Sequence, residues 1–243
     1  MAQDNTVSGG LFFLGLFVAI GIAAGGYFIG NTMYNAKVAL NTAEAKGLAE
    51  RRVKADRANW SISFAVATKA QAGIPDLYKK AEGQQKTIID LLKTHDFTDE
   101  EITAGVIDYS YHEYRDENQA VVDQNHTLRG TINIETDKVE LVTKVRSKVN
   151  KLIAEGINIQ NHAPAYRFTK LNEIKPEMLR EAAKNARLAA SEFAENAGVS
   201  VGGIRDARQG SFYVRDAGQE YGDTQKIDKD VRVVTTITFY LTD

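Results

Sequence analysis

Residues 59–66 read NWSISFAV, and their alternation of apolar with polar or small side chains decides the fold class of this chain. Trp60, Ile62, Phe64 and Val66 are the apolar members of the pattern. Successive side chains of a β-strand point to opposite faces of its sheet, so a period of two predicts a strand that is buried on one face.

The rest of the chain alternates between this period and helical spacing. Further strands or extended segments are predicted at 102–114, 128–134, 157–171, 199–214 and 231–241. Helices are predicted at 74–93, 139–153 and 175–197. Pro75 and Pro176 stand near helix starts, and Gly156 and Gly198 follow helix ends, as is usual for these residues. The sequence therefore predicts an α+β fold, with a mainly antiparallel sheet packed by about three helices and preceded by one N-terminal transmembrane helix.

The last predicted helix has an alanine-rich inner face. Its expected members are Leu179, Ala183, Ala186, Ala190, Phe193 and Ala197. Because alanine side chains are small, we expect this helix to lie close against a sheet.

A second feature is the stretch at 9–29, GGLFFLGLFVAIGIAAGGYFI, which contains no charged side chain. At about 1.5 Å per residue such a helix reaches about 30 Å, the thickness of a hydrocarbon core. A cleaved signal peptide is the alternative, since residues 23–26 (AAGG) offer small side chains for cleavage. Signal peptides have a basic start and a shorter apolar core, whereas no Lys or Arg precedes Lys37 here. We therefore expect a retained membrane anchor.

Small residues recur along this segment at four-residue spacing. They are Gly15, Ala19, Ala23, Gly21, Gly25, Gly26 and Gly30. Such spacing lets helices approach closely in lipid, so we expect these positions to form membrane-helix packing contacts between copies.

The expected organisation is a short tail at 1–8, the anchor at 9–30, a juxtamembrane stalk at 31–43 and one α+β domain at 44–243. The basic residues Lys37, Lys46, Arg51 and Arg52 follow the anchor, so charge alone favours a cytoplasmic domain. The net charge of −2 and the pI of about 6.1 give no reason to expect a nucleic-acid partner. The chain contains no cysteine, which excludes disulfides and thiolate metal sites.

Several segments resemble, in order, the SIMPL-domain (YggE-like) family. They are KGLAERRVKADRANWSISF at 46–64, the tyrosine-rich stretch from 109 with LRGTINI at 128–134 and DKV at 137–139, AAKNARLAA at 182–190, AGV at 197–199 and GGI at 202–204. The resemblance covers most of 44–243. It implies an exported, periplasmic or cell-surface α+β protein that tends to form closed homo-oligomers and has no defining catalytic motif. It also favours the periplasmic side, against the charge signal.

The search for chemistry gives no catalytic, cofactor or metal site. His95, His112, His126 and His162 lack the spacing of metal ligands, and we expect isolated surface or turn histidines. The chain has no GxSxG or phosphate-binding loop, and Gly202-Gly203 is better explained by a bulge or a close backbone contact.

Three charged groups have both a functional and a structural interpretation. Asp108, Glu113, Asp116 and Glu117 flank Tyr109, Tyr111 and Tyr114, which suits a cation or a sugar but also a solvated strand edge. Asp96, Asp99, Glu100 and Glu101 are typical of a helix start. Arg205, Arg208 and Arg215, near Phe212 and Tyr213, suit an intersubunit rim or an acidic partner.

Two classes of function remain. The first is a non-enzymatic envelope protein of the bacterial inner membrane, single-pass with its domain in the periplasm, that assembles with itself into a ring, channel or cage. The second is a periplasmic protein that binds a small molecule or an envelope component, or an enzyme of unknown chemistry. The missing catalytic constellation, the small-residue anchor and the resemblance favour the first, with the lipid bilayer and further copies of the chain as partners.

Overall fold

The computed structural model describes residues 4–38 and 41–242, and it has the α+β fold with antiparallel sheets that the sequence predicts. The helices are α1 (Asp4–Val38), α2 (Ile74–Thr94), α3 (Val139–Val149) and α4 (Leu171–Asn196). The first strands are β1 (Thr42–Lys54), β2 (Arg57–Thr68), β3 (Ile102–Ala104), β4 (Asp108–Arg115) and β5 (Val121–Thr136). The others are β6 (Ile159–Asn161), β7 (Ala165–Arg167), β8 (Ser200–Gln209), β9 (Tyr213–Asp216) and β10 (Asp228–Thr242).

The strands form two sheets. One has the order β1-β10-β8, with β9 also paired to β10. The other has the order β3-β5-β2-β6, with β4 also paired to β5 and β7 to β2. The described residues divide into two compact units, one within 1–49, 179–210 and 234–243 and the other within 50–178 and 211–233.

The larger core belongs to the second unit and is built on the segment quoted first. Trp60, Ile62, Phe64 and Val66 are all buried, and their partners on β5 include Ile132 and Ile134 at the same face. The buried residues of α2 are Leu77, Ala81, Ile88 and Leu92, and they belong to the same cluster. The period of two therefore identified the central strand and its inner face correctly.

The smaller core lies in the first unit, where α4 approaches β1 at Gly47. Ala182, Ala186 and Ala190 are fully buried, and a Cβ added at Gly47 would collide with the Ala182 carbonyl oxygen and the Ala186 nitrogen. Helix and strand backbones are therefore in direct contact, as the alanine-rich face predicted.

The predicted inner face of α4 was partly wrong. Ala186 and Ala190 are buried, but Leu179 and Ala183 are only half-buried, and Phe193 and Ala197 are exposed. The buried row instead runs through Ala182 and Ala194, because residues four apart form one ridge of a helix. Phe193 directly precedes Ala194 and so points about 100° away from this row, which leaves it exposed.

Two predicted boundaries also differ from the structure. The predicted strand at 102–114 is two strands, β3 and β4, separated at Gly105–Ile107. Helix α4 begins at Leu171, so Pro176 lies inside it rather than at its start. Proline has no N–H, and α4 therefore lacks one intrahelical hydrogen bond there.

A buried ion pair that the sequence did not predict organises the loop between β9 and β10. Lys229 and Asp216 have fully buried side chains, with 2.5 Å between Lys229 Nζ and Asp216 Oδ1. Lys229 Nζ also donates to the Asp223 carbonyl at 2.7 Å, and the backbone N–H groups of Gln225 and Lys226 donate to the Asp216 carboxylate. Burial alone would raise the pKa of Asp216, but these hydrogen bonds outweigh it, and the pKa lies below its ordinary value.

Candidate assembly surfaces

Strands β4 and β5 extend past the end of their sheet as a two-stranded ribbon. The pairing of β5 with β2 ends at the pair Thr68 and His126, and beyond it β5 continues to Val121 with β4 as its strand partner. Asp116 closes the turn, since its side chain accepts hydrogen bonds from the N–H groups of Asn118 and Ala120. Every residue of β4 is exposed. The ribbon is therefore open to solvent along the whole of β4.

The exposed ribbon carries large apolar and aromatic side chains. They are Tyr109, Tyr111, Tyr114, Val121 and Val122, each more than two fifths exposed. A two-stranded ribbon has little stability in water without further cover. These side chains make the ribbon a candidate contact surface.

Two of the tyrosines meet His126, the only one of the four histidines that is buried. Tyr109 Oη lies 2.8 Å from His126 Nδ1, and the Tyr111 ring stacks on the imidazole with 4.9 Å between ring centres. His126 Nε2 is buried and has no hydrogen-bond partner among the described residues. The expectation of surface or turn histidines fails for His126 because it lies on the inward face of β5.

Ion pairs and hydrogen bonds order the rest of the ribbon. Arg115 forms an ion pair with Glu113 at 2.6 Å, and Tyr111 Oη donates to the same carboxylate at 3.1 Å. Both interactions hold the pKa of Glu113 below its usual value. At the base of the ribbon, Lys69 contacts Asp123 at 2.7 Å. The predicted group of acids and tyrosines is thus a structured strand edge.

The other candidate residues make separate local contacts. His112 and His162 are exposed, and His95 Nδ1 contacts the Leu91 carbonyl. Asp99 pairs with Lys93, and Glu101 contacts Lys138 and caps the short helical turn after Thr98. Arg208 pairs with Asp206, whereas the Arg215 guanidinium stacks on Tyr213. Among residues 4–38 and 41–242, no group of three or more potential ligands could hold a metal ion.

Strand β8 is a second edge, but it differs from β4. Its pairing with β10 is irregular where Thr238 is followed by Phe239, and Arg205, Asp206 and Arg208 project from it. Bulges and charged side chains are the means by which proteins discourage pairing at an edge strand. Strand β8, whose pairing is irregular within the strand and not only at its end, is therefore better protected than β4.

Two cavities of the described residues have walls that are more polar than apolar. One of about 310 Å³ in the second unit is lined by residues that include Asn59, Ser61, Glu100 and Glu101. Another of about 500 Å³ in the first unit lies beside Lys46, Arg205 and Arg208. Sites for small ligands are mostly apolar with a few polar groups, and neither cavity has that character.

Helix α1 contains the predicted membrane segment. Leu11–Tyr34 is apolar and long enough to cross a bilayer, and none of it is buried in the protein. Length and composition of this kind fit a membrane anchor and an export signal alike. A Cβ added at Gly15, Gly21, Gly25, Gly26 or Gly30 would meet no atom of the described chain within 4 Å. The small residues of the segment are thus open to contact from outside the chain.

Comparison with known proteins gives one family. A family model matches residues 44–239 and is described as SIMPL, protein of unknown function (DUF541). No curated protein matches the chain.

Two solved structures are similar over part of the chain. One is titled as that of a "putative amidohydrolase/peptidase" from Burkholderia cenocepacia, with 13% identity, a TM-score of 0.20 and coverage of 58% of this chain and 36% of that one. The other is a "putative aminohydrolase" from methicillin resistant Staphylococcus aureus, with 10% identity, a TM-score of 0.23 and coverage of 58% and 39%. The chain thus spans less than half the length of either protein, and TM-scores this low carry no argument.

Proposed function

Because the chain belongs to the SIMPL family, we propose that it is a non-enzymatic envelope protein, anchored by α1 and assembled through its α+β domain into a closed homo-oligomer. The observation that carries the proposal is the ribbon of β4 and β5, which is exposed throughout β4 and bears aromatic side chains. Surfaces of this kind mark sites of protein contact. A further copy of the chain is the simplest cover, since most soluble oligomers are symmetric assemblies of one chain.

Helix α1 determines the cellular location that we propose for this assembly. We propose that α1 is retained in the inner membrane as a single span and that the domain lies in the periplasm. The apolar Leu11–Tyr34 segment supports a span, and family membership supports export. Side-by-side anchors would then bring small residues such as Gly15, Ala19 and Ala23 together, and the domains above them would enclose a ring, channel or cage.

A periplasmic protein that binds a small molecule is the second candidate. The cavity of about 310 Å³ beside Glu100 and Glu101 is the observation that favours it. Its lining is only partly apolar, whereas sites for small ligands are mostly apolar, which ranks this function below assembly.

The first prediction is the assembly itself. In native mass spectrometry after mild detergent extraction, the full chain should give one discrete multiple of the 26.8 kDa protomer. Deletion of residues 1–36 should leave that multiple unchanged, because the domain and not the anchor supplies most of the interface. Full-length protein that is monomeric at micromolar concentration would contradict the proposal and favour the binding protein.

The second prediction is the topology. Protease added to intact spheroplasts should digest the domain, and the membrane-extracted protein should have the mass of the uncleaved chain. The matched control is spheroplasts lysed before treatment, in which digestion occurs on either side. Protection until lysis would place the domain in the cytoplasm, and a mature start near Gly25 would show that the segment is a cleaved signal.

A further inference from the structure

Over residues 108–114 the outer edge of β4 has no bulge, no proline and no lysine, three of the features that keep an edge strand from pairing. Its register with β5 is unbroken from Asp108 to Tyr114, and the single irregularity follows at Arg115. The strand, DYSYHEYR, contains no proline and no lysine. Proteins usually protect exposed edges with proline, lysine, bulges or a covering element. An edge of seven regular residues is suited to main-chain pairing with another strand whose charges complement its own.

We propose that β4 of one copy pairs antiparallel with β4 of a second copy, about a two-fold axis that passes between the two Tyr111 residues. This inference rests on the proposed self-assembly and names one of its interfaces. The two ribbons become a continuous four-stranded sheet in which each β4 is an inner strand. Main-chain N–H and C=O groups that faced solvent then complete a ladder.

The register follows from symmetry. A two-fold axis perpendicular to the sheet relates two antiparallel strands and keeps each side chain on its own face, so the axis passes between two copies of one residue. The regular part of β4, residues 108–114, is symmetric about Tyr111. An axis at Tyr111 is therefore the one that pairs all seven residues.

The side chains agree with this register. Tyr111 faces its own copy, Tyr109 faces Glu113, Ser110 faces His112 and Asp108 faces Tyr114. No two like charges are opposed, and aromatic pairs are favourable across antiparallel strands. Moving the axis to His112 would set Asp108 opposite Asp116, which is unfavourable. The strand is thus complementary to itself in the register that pairs all seven residues.

This self-complementarity is the first reason to assign a second copy of the chain as the partner of β4. The shape of the ribbon is the second reason. Beyond the pair Thr68 and His126, β4 is the only strand partner of β5 among residues 4–38 and 41–242. A partner strand on β4 gives this two-stranded part the third and fourth strands that independent stability requires. It also covers the exposed Tyr109 and Tyr111 side chains.

The absence of cysteine in the chain allows a sharp test. Opposed Cα atoms in an antiparallel pair are about 4.5–5.5 Å apart, within the range of about 4.4–6.8 Å that a disulfide spans. Full-length Tyr111→Cys, extracted in mild detergent and oxidised, should form a disulfide-linked dimer in most of the protein. Ser110→Cys mixed with His112→Cys should form a mixed dimer, although each variant alone should not.

The mixed pair leaves the contact of Tyr111 with His126 intact, so it reports the interface even if Tyr111→Cys disturbs the ribbon. Glu117→Cys, exposed in the turn of the same ribbon, is the control for random collision and should not form dimers. Dimers of Glu117→Cys as abundant as those of the designed positions would overturn the proposal. So would dimers of Ser110→Cys alone, which would indicate a different register, or linkage of Tyr111→Cys to another protein.

Native mass separates this inference from the proposed function. A discrete oligomer in which neither Tyr111→Cys nor the mixed pair forms dimers would refute the β4 interface and leave the assembly standing. A monomer without dimers would refute both.

Discussion

Replacing Asp216 by alanine should lower the free energy of unfolding by about 3–5 kcal/mol, the usual cost of removing one member of a buried ion pair. The variant leaves the Lys229 ammonium group fully buried with the Asp223 carbonyl as its remaining hydrogen-bond acceptor. It also removes the acceptor of the Gln225 and Lys226 N–H groups. The loop between β9 and β10 should therefore lose its order before the rest of the second unit.

Urea unfolding followed by fluorescence measures this effect directly. The chain contains one tryptophan, Trp60, which is buried in the same unit as the ion pair. The matched control is the double variant Asp216→Leu with Lys229→Met, which removes both charges and should recover most of the lost stability. If the single and double variants unfold at the same urea concentration, the unpaired charge is not the cause.

The same pair determines part of the pH dependence of stability. The unfolded chain protonates Asp216 near the ordinary pKa of about 3.9, whereas the folded chain protonates it only at lower pH. The contribution of Asp216 is therefore fully present above about pH 4 and is lost as the pH falls through the folded pKa. Asp216→Ala should remove this contribution, so its stability should change less than that of the parent chain in the same acid range.

Replacing Gly47 by alanine should lower the free energy of unfolding by about 3 kcal/mol, the upper end of the usual cost of overpacking. The added Cβ of Gly47→Ala would lie closer than 3.0 Å to backbone atoms of both Ala182 and Ala186. Backbone atoms cannot rotate away as a side chain can. Helix α4 and strand β1 must separate, and the small core of Ala45, Ile237 and Phe239 opens with them.

Amide hydrogen exchange can locate this change, and Gly203→Ala is the control. Gly203 is a strand glycine of the same unit, but a Cβ there would meet nothing within 4 Å. We expect faster exchange at residues 182–190 in Gly47→Ala and little change in Gly203→Ala. Equal protection of the amides of residues 182–190 from exchange in the two variants would contradict the close contact between α4 and β1.

Features that depend on local periodicity were readable from the sequence. Trp60, Ile62, Phe64 and Val66 share one face by their spacing alone, and the fold class and family followed from such segments. The apolar stretch in α1 was visible for the same reason. Lys229 was missed although a signal existed, because it falls on the inward positions that continue with Val231 and Val233. A charge at such a position predicts a buried partner.

Features that depend on contacts between distant segments were not readable. The spacing of Phe193 from Ala186 and Ala190 is compatible with a buried helix face, but which row of α4 is buried is decided by where β1 contacts the helix. The tyrosine-rich stretch was recognised, but its position at a sheet edge depends on the partners that β5 finds on its other side. His126 was misjudged for the same reason, since its burial comes from its place on β5.

Strand β5 determines how a pull on the ribbon is transmitted to the rest of its sheet. The N-terminal part of β5 belongs to the ribbon. Its remainder pairs with eleven consecutive residues of β2, from Ala58 to Thr68. Tension applied to the ribbon would run along β5 and load those hydrogen bonds in shear. In that geometry they resist together, whereas a force across the strands would open them one after another. A neighbour that pulls along the ribbon would therefore act on the pairing of β5 with β2 in the direction in which it yields least.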